Sequence, residues 1–193
     1  GNIASAFFQS FIHGETRETL PGAIRQGRDR AWKAVPDPRP GTMLSFFDAL
    51  ADLIQTPSSL DGFRENLRRL EAVVRGTVDQ QPKLQQAGVV DAGALGMYLF
   101  FEGFFAAVSG NGLAFRAVTD TFGELVRIAP SFRDEPEKGY CIDTVLKSTA
   151  NPRKAEELLA GLGESVVVSR EEDCLKVHFH TCDREEARKK LNP

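Results

Sequence analysis

A change of hydrophobic period near residue 130 limits this chain's possible folds more than any other feature. Upstream of it, apolar residues recur every three or four positions, as on one face of a helix. Downstream they alternate, as on a half-buried strand. One layer of structure cannot satisfy both periods. The 193 residues are therefore expected to form an all-α portion over 1–129 and a small α+β domain over 138–193. The intervening stretch 130–138 is rich in proline and charge, as a boundary should be.

In the first region Phe7, Phe8, Phe11 and Ile12 form one apolar stripe. Met43, Phe46, Phe47, Leu50, Leu53 and Ile54 form another, and Leu60, Phe63, Leu67, Leu70, Val74 and Val78 a third. Breakers separate them at residues 36–41, at Thr56-Pro57-Ser58-Ser59 and at Gln81-Pro82. Further helices are expected from Asp91 to Val108, stopping at Ser109-Gly110-Asn111-Gly112, and over 113–128. In the second region the pattern predicts a strand at 140–147, a helix at 152–162 capped by Asn151, strands at 165–169 and 174–180 joined by a turn at 170–173, and a helix at 183–191 capped by Asp183. This is a β-α-β-β-α unit with its helices on one face of the sheet.

Acidic and basic residues are interleaved, with a net charge of -3, so neither nucleic acid nor an anionic membrane is an expected partner. The most apolar run, 96–108, is short for a bilayer span and is broken by Glu102 and Gly103. No basic-then-apolar leader opens the chain, and a cytoplasmic location is the expectation. The opening on Gly1-Asn2 rather than Met is expected of an internal piece of a longer protein. The odd count of three cysteines, Cys141, Cys174 and Cys182, points to thiols or metal ligands rather than a disulfide framework.

Side chains alternate across a strand. In Val177-His178-Phe179-His180-Thr181-Cys182 the two imidazoles therefore share a face, and Cys182 joins them if the strand runs that far. Cys141, on the neighbouring expected strand, is a further candidate. Imidazole and thiolate are donors that zinc prefers, and a tetrahedral site needs three or four. The plainer reading is of solvated residues on a half-buried strand, with Cys141 a small core residue. On pattern alone both readings stand.

Three helix starts carry glycine: Gly1-Asn2, Gly41-Thr42-Met43, and Asp91-Ala92-Gly93-Ala94-Leu95-Gly96. Free amides and a partial positive charge at a helix start suit phosphate. Taken singly, each is as well read as an ordinary cap. There is no Walker-type run and no Gly-x-Gly-x-x-Gly. His13 reads as a residue at a helix C-terminus. Trp32 and the fourteen phenylalanines read as core, although Phe100, Phe101, Phe104 and Phe105 are conceivable as the lining of a lipid groove.

Together these segments resemble the ATP-binding subunit of bacterial fatty acid kinase, a family with a dihydroxyacetone-kinase-type helical domain. Gly1-Asn2 resembles its Gly-Asn-Ser-Gly phosphate loop. Ala31-Trp32-Lys33-Ala34-Val35 and Pro40-Gly41-Thr42-Met43-Leu44 are similar to its Ala-Tyr-Lys-Ala-Val and Glu-Gly-Thr-Ile/Met-Leu stretches. The most specific match runs from Gln86 to Gly96 and on to Glu102-Gly103-Phe104, against Ala-Gly-Val-Val-Asp-Ala-Gly-Gly-x-Gly and Glu-Gly-Phe. In the second region Gly139-Tyr140-Cys141 and Val177-His178-Phe179-His180-Thr181 resemble the Gly-Tyr-Cys-Thr-Glu and Val-His-Val-His-Thr motifs of the family's middle domain.

The resemblance implies part of an antiparallel helical barrel that binds Mg-ATP, followed by a middle domain holding zinc through Cys141, His178 and His180. Gly1 and Asn2 would approach phosphate, Thr42 and Met43 would lie near the nucleotide, and Asp91 and Gly93 would border base or ribose. A fourth zinc donor is left open among Cys182, Cys174 and water. The implied reaction is transfer of the ATP γ-phosphoryl group to the carboxylate of a fatty acid presented by a DegV-type lipid-binding protein; homodimerisation is left open. Three departures stand against this. The family's Asp-Gly-Asp-Thr-Gly magnesium cluster is absent, and Asp29, Asp37 and Asp48 lack its spacing. Ile3-Ala4 replaces Ser-Gly, and Ile142-Asp143 follows Cys141 in place of Thr-Glu. The chain by itself is expected to be inactive. A regulatory or scaffolding module derived from the kinase fold is the second reading, and a sugar kinase component of the dihydroxyacetone type is the third.

Overall fold

The computed structural model describes residues 1–35, 37–110, 116–133, 139–147, 151–171 and 173–191. Pro36, Asn111 and Gly112 of the expected breakers, residues 113–115 of the expected last helix, 134–138 of the expected boundary and Glu172 of the expected turn lie outside them. The chain divides into two compact units, Gly1–Arg133 and Asp134–Pro193.

The first unit is helical. Helices α1 (Asn2–Phe11) and α2 (Leu20–Lys33) pack together so closely that a Cβ on Gly27 would stand 2.8 Å from the Phe7 carbonyl oxygen. Helix α3 (Met43–Leu53) is opened by Thr42, whose hydroxyl accepts from the Leu44 amide. It buries Leu44, Phe46, Phe47, Leu50 and Ala51, and Phe47 stacks on Phe7 with ring centroids 3.9 Å apart. After a 3-10 turn at Pro57–Gly62 comes α4 (Phe63–Gln80), which buries Phe63, Leu67, Leu70, Val74 and Thr77 on one stripe. The short α5 (Pro82–Ala87), too brief to show a period in the sequence, ends where Gly88 turns left-handed at φ +67°. Helix α6 (Ala92–Ser109) is opened by Asp91 and closed by Gly110 at φ +65°.

The α6 helix is longer than the apolar run 96–108 suggests, and at 18 residues it is long and apolar enough to cross a membrane. Ala94, Tyr98, Phe101 and Phe105 are buried in the unit's core, while Leu99, Phe100 and Val108 of the same helix are exposed. A second expectation needs correction. The described part of 113–128 is a five-residue helix, α7 (Val118–Phe122), followed by a 3-10 turn at Gly123–Val126. Gly123 has φ +58° and ψ -127°, a conformation that ends a helix and favours glycine. Beyond it Val90 donates to Leu125 O and Ala129 to Ala87 O. The segment therefore folds back over the α5–α6 connection instead of continuing as helix.

The second unit contains β1 (Tyr140–Lys147), α8 (Pro152–Leu159), β2 (Glu164–Glu171), β3 (Cys174–Thr181) and α9 (Arg184–Leu191). Helix α8 stops three residues short of the expected end. The sheet order is β1-β3-β2, and both pairings are antiparallel. Consequently β1 and β2 run parallel with β3 between them, a split β-α-β arrangement. Leu175, Val177 and Phe179 of β3 point to one face and form a core with Leu159 of α8, Val168 of β2 and Ala187 of α9. The opposite face carries no helix among the described residues of this unit, and Val145 on it is 64% exposed.

Candidate functional site

The uncovered sheet face carries the cysteine and histidines. Period-two alternation puts His178 and His180 on it together, and the strand register supplies the rest. Cys141 pairs across β1–β3 with His180, and Asp143 pairs with His178. One sulfur and two ring nitrogens of Cys141, His178 and His180 lie within 4.8 Å of one another. Cys141 Sγ is 3.9 Å from His178 Nδ1, and the two imidazole centroids are 5.2 Å apart. A tetrahedral zinc holds sulfur and nitrogen donors about 3.4–3.6 Å apart, somewhat closer than the 3.9 Å between Cys141 Sγ and His178 Nδ1. The donor set is one that fits zinc.

Two glycines pack against the histidine-bearing end of β3. A Cβ on Gly163, just before β2, would overlap the His180 carbonyl oxygen, and one on Gly139, just before β1, would stand 2.7 Å from the Thr181 oxygen. Gly139 also has φ +134°. The starts of the two edge strands thus press against successive residues of the central strand, β2 against His180 and β1 against Thr181. The glycines themselves are visible in the sequence; their role is not. Strand β3 ends at Thr181, so the condition on which Cys182 would join the two histidines is not met, and Cys182 is outside the three-residue group. Cys174 lies at the far end of β3, opposite Lys147, about 13 Å along the strand from His178 at about 3.3 Å per residue.

In the helical unit the starts of α3 and α6 meet. The Asp91 carboxylate accepts from the Ala94 amide at 2.7 Å and also interacts with the backbone amides of Met43 and Gly93. Its own amide donates to Thr77 Oγ1 at 2.9 Å, and that hydroxyl donates in turn to Val74 O. A Cβ on Gly93 would lie 2.9 Å from Met43 Cε, so glycine there permits the close approach of α3. Burial pushes the Asp91 carboxyl above its ordinary value, against the opposing pull of the Ala94, Met43 and Gly93 amides. The structure therefore brings Met43, Asp91 and Gly93 together, with Thr42 adjoining. Gly1 and Asn2 stand at the start of α1, where Gly1 is exposed with open space around it.

The acidic residues set aside in the sequence are engaged elsewhere. Asp29 pairs with Arg28 and Asp37 with Arg39. Asp48 accepts from Trp32 Nε1 at 2.9 Å, and burial pushes its carboxyl upward while that hydrogen bond opposes the shift. They do not fit a magnesium site. His13 is exposed just beyond the end of α1, its amide on Ser10 O. Phe101 and Phe105 are core, while Phe100 packs edge-on to Phe8 at 4.9 Å and Phe104 to Phe11 at 5.3 Å.

The chain thus has two parts, a helical unit in which two helix starts are joined and an antiparallel sheet unit bearing a Cys-His-His group. Residues 1–106 match the DAK2 domain, and residues 137–192 match the FakA-like middle domain of fatty acid kinase. The chain belongs to the DAK2-domain family, with a middle domain of the FakA-like type. Protein YloV of Bacillus subtilis is 27% identical over 203 residues, covering 93% of this chain. An uncharacterised protein of Staphylococcus saprophyticus is 27% identical over 202 residues, covering 94%. The chain spans 37% of the length of each of these relatives.

Proposed function

We propose that the protein to which this chain belongs is a cytoplasmic kinase that transfers the γ-phosphoryl group of ATP to the carboxylate of a fatty acid held by a DegV-type lipid-binding partner. The observation that carries this reading is the succession, in one chain, of a DAK2 helical unit and a FakA-like middle unit. A sugar kinase of the dihydroxyacetone type accounts for the first unit alone.

In this reading Gly1, Asn2, Thr42, Met43, Asp91 and Gly93 belong to one wall of the nucleotide site. Asp91 acts by tying α3 to α6 and so fixing where Thr42 and Met43 stand. None of the described residues of this chain fits the magnesium ion that accompanies ATP, and no catalytic step is assigned to them. The chain alone is therefore inactive in this proposal. Cys141, His178 and His180 hold zinc, which supplies a cross-link between β1 and β3 in a unit whose hydrophobic core is small.

A second reading is favoured by one specific feature. The Ala94 amide is already engaged by Asp91, and Ile3-Ala4 lacks the hydroxyl and slimness of Ser-Gly. A scaffold derived from the kinase fold, docking the lipid-binding partner without turning over ATP, has these properties. The full-length protein separates the two. Titration calorimetry with Mg-ATP should give a saturable heat, and hydroxylamine should trap an acyl hydroxamate when ATP, fatty acid and partner are all present. A flat titration sinks the kinase reading.

A further inference from the structure

We infer that Glu71 is a positioning residue for the nucleotide wall: it gathers two arginines that latch the segment 116–129 onto α4 and α6, and so fixes the α5–α6 connection that leads into Asp91. The positioning role rests on the reading of Asp91 and Gly93 as part of that wall; the latch itself does not.

Glu71 lies on α4 with 19% of its side chain exposed. Its Oε1 accepts from Arg75 Nε at 3.0 Å, one turn along the same helix, and its Oε2 accepts from Arg116 Nη2 at 3.2 Å. Both arginines engage the segment that follows α6. Arg116 belongs to it. Arg75 donates to Thr121 O and stands 5.3 Å from the centroid of the Phe122 ring. Phe122 in turn packs edge-on to Tyr98 of α6 at 5.4 Å, and both rings are buried. Charge-assisted hydrogen bonds to a carboxylate this well buried are worth more than those of an exposed pair. Helix α6 adds a carboxyl of its own. Glu102 is buried, and burial pushes it above its ordinary value, while the Arg116 charge opposes the shift and Glu71 adds to it. Arg116 thus lies among carboxylates from both helices.

The segment depends on such a latch. Helix α7 has five residues, far below the about 12–15 at which a helix begins to hold itself, and Gly123 turns the chain out of helix just after it. Beyond Gly123 the segment is tied to the α5–α6 connection at two points. Leu125 O receives the Val90 amide at 3.0 Å, and the Ala129 amide donates to Ala87 O at 2.8 Å. Val90 immediately precedes Asp91, the cap of α6. Opening the latch at Glu71 therefore loosens the connection beside Asp91. The plainer role for Glu71 is to stabilise the helical unit as a whole. The two differ in where a substitution is felt: in residues 87–91 and 118–129, or throughout the unit.

The test uses the full-length protein. Hydrogen exchange followed by mass spectrometry reads residues 87–91 and 118–129, and titration calorimetry with Mg-ATP reads affinity and the number of sites separately. Glu71→Ala and Arg116→Ala should each speed exchange in both segments about tenfold. Each should weaken Mg-ATP binding about threefold to tenfold with the number of sites unchanged, whereas simple loss of folded protein lowers the number of sites and leaves affinity alone. The double variant should be no worse than Glu71→Ala, because both changes open one latch. Ile24→Ala, which cuts into the core on α2, is the control. It should lower global stability and leave Mg-ATP affinity as in the parent. Arg116→Ala alters an exposed side chain and keeps the test decisive where Glu71→Ala does not fold. Unchanged exchange in both segments overturns the latch. Faster exchange with unchanged Mg-ATP affinity overturns the positioning role, as does equal weakening by Ile24→Ala. A parent protein that gives no saturable heat overturns the nucleotide reading, and the positioning role falls with it, while exchange still decides the latch.

Discussion

In the helical unit the polar groups at helix starts are used up by the fold. Thr42 caps α3, Asp91 caps α6 and reaches across to the Met43 amide, and Thr77 receives the Asp91 amide. In the sheet unit the comparable groups are displayed: Cys141, Asp143, His178 and His180 sit on a face that no helix of that unit covers among the described residues. Most of the buried apolar residues described lie in the first unit, whose core includes Phe7, Phe46, Phe47, Phe101, Phe105 and Phe122. The second unit's buried core has six residues among those described. A large core can hold its own shape and spend its polar groups on caps. A small one gains from a cross-link, as small domains commonly do.

Breaking the proposed cross-link is the strongest challenge to this contrast. Cys141→Ala should abolish stoichiometric zinc, read by metal analysis, while fluorescence of Trp32, the one tryptophan, reports an unchanged helical unit. Next in size, Phe47→Ala should destabilise the helical unit by about 3–5 kcal/mol, because Phe47 is fully buried and stacked on Phe7. Urea unfolding followed by Trp32 measures it, and zinc affinity should not move. Gly163→Ala should cost the sheet unit about 3 kcal/mol, since the added carbon overlaps the His180 carbonyl. Weaker zinc binding with normal Trp32 unfolding is the expected pattern. Removing the α6 cap with Asp91→Ala should cost about 1 kcal/mol, read by the same urea unfolding.

The smallest effect concerns pH. Because burial raises the Asp91 carboxyl above its ordinary value of 3.8, the folded state holds that proton more tightly than the unfolded chain does. The stabilisation from that proton is fully present below 3.8 and is lost as pH rises through the folded-state value. Asp91→Asn keeps a capping oxygen and lacks the titration. Stability of the Asn protein relative to the parent should therefore increase as pH rises from about 4, then level off. A difference that stays flat with pH removes the burial argument for Asp91.

Much of the fold is legible in advance. The stripes of α1, α3 and α4, the caps Thr42, Asp91, Asn151 and Asp183, and the alternation of β3 are all local patterns, and local patterns set local structure. The features that escape are governed by distant contacts or by single backbone angles. The expected helix over 113–128 fails in its described part at Gly123, whose unusual φ and ψ no apolar spacing reveals. The short α5 has too few residues to show a period. The hydrogen bond between Asp143 and His178 leaves no periodic signal, because it depends on the register of two strands far apart in the chain.

Alternation within one strand is enough to put His178 and His180 on a shared face, so that part of the site is written in the residue order. The same is true of the residues able to cap helices. Tertiary packing alone sets Cys141 opposite His180 and Asp143 opposite His178, because register depends on how two strands far apart in the chain bury their other faces against the same core. The meeting of Met43 with Asp91 has the same origin. Each helix start is legible alone, but their contact comes from the packing of α3 and α6, which Gly93 allows by leaving room for the Met43 side chain.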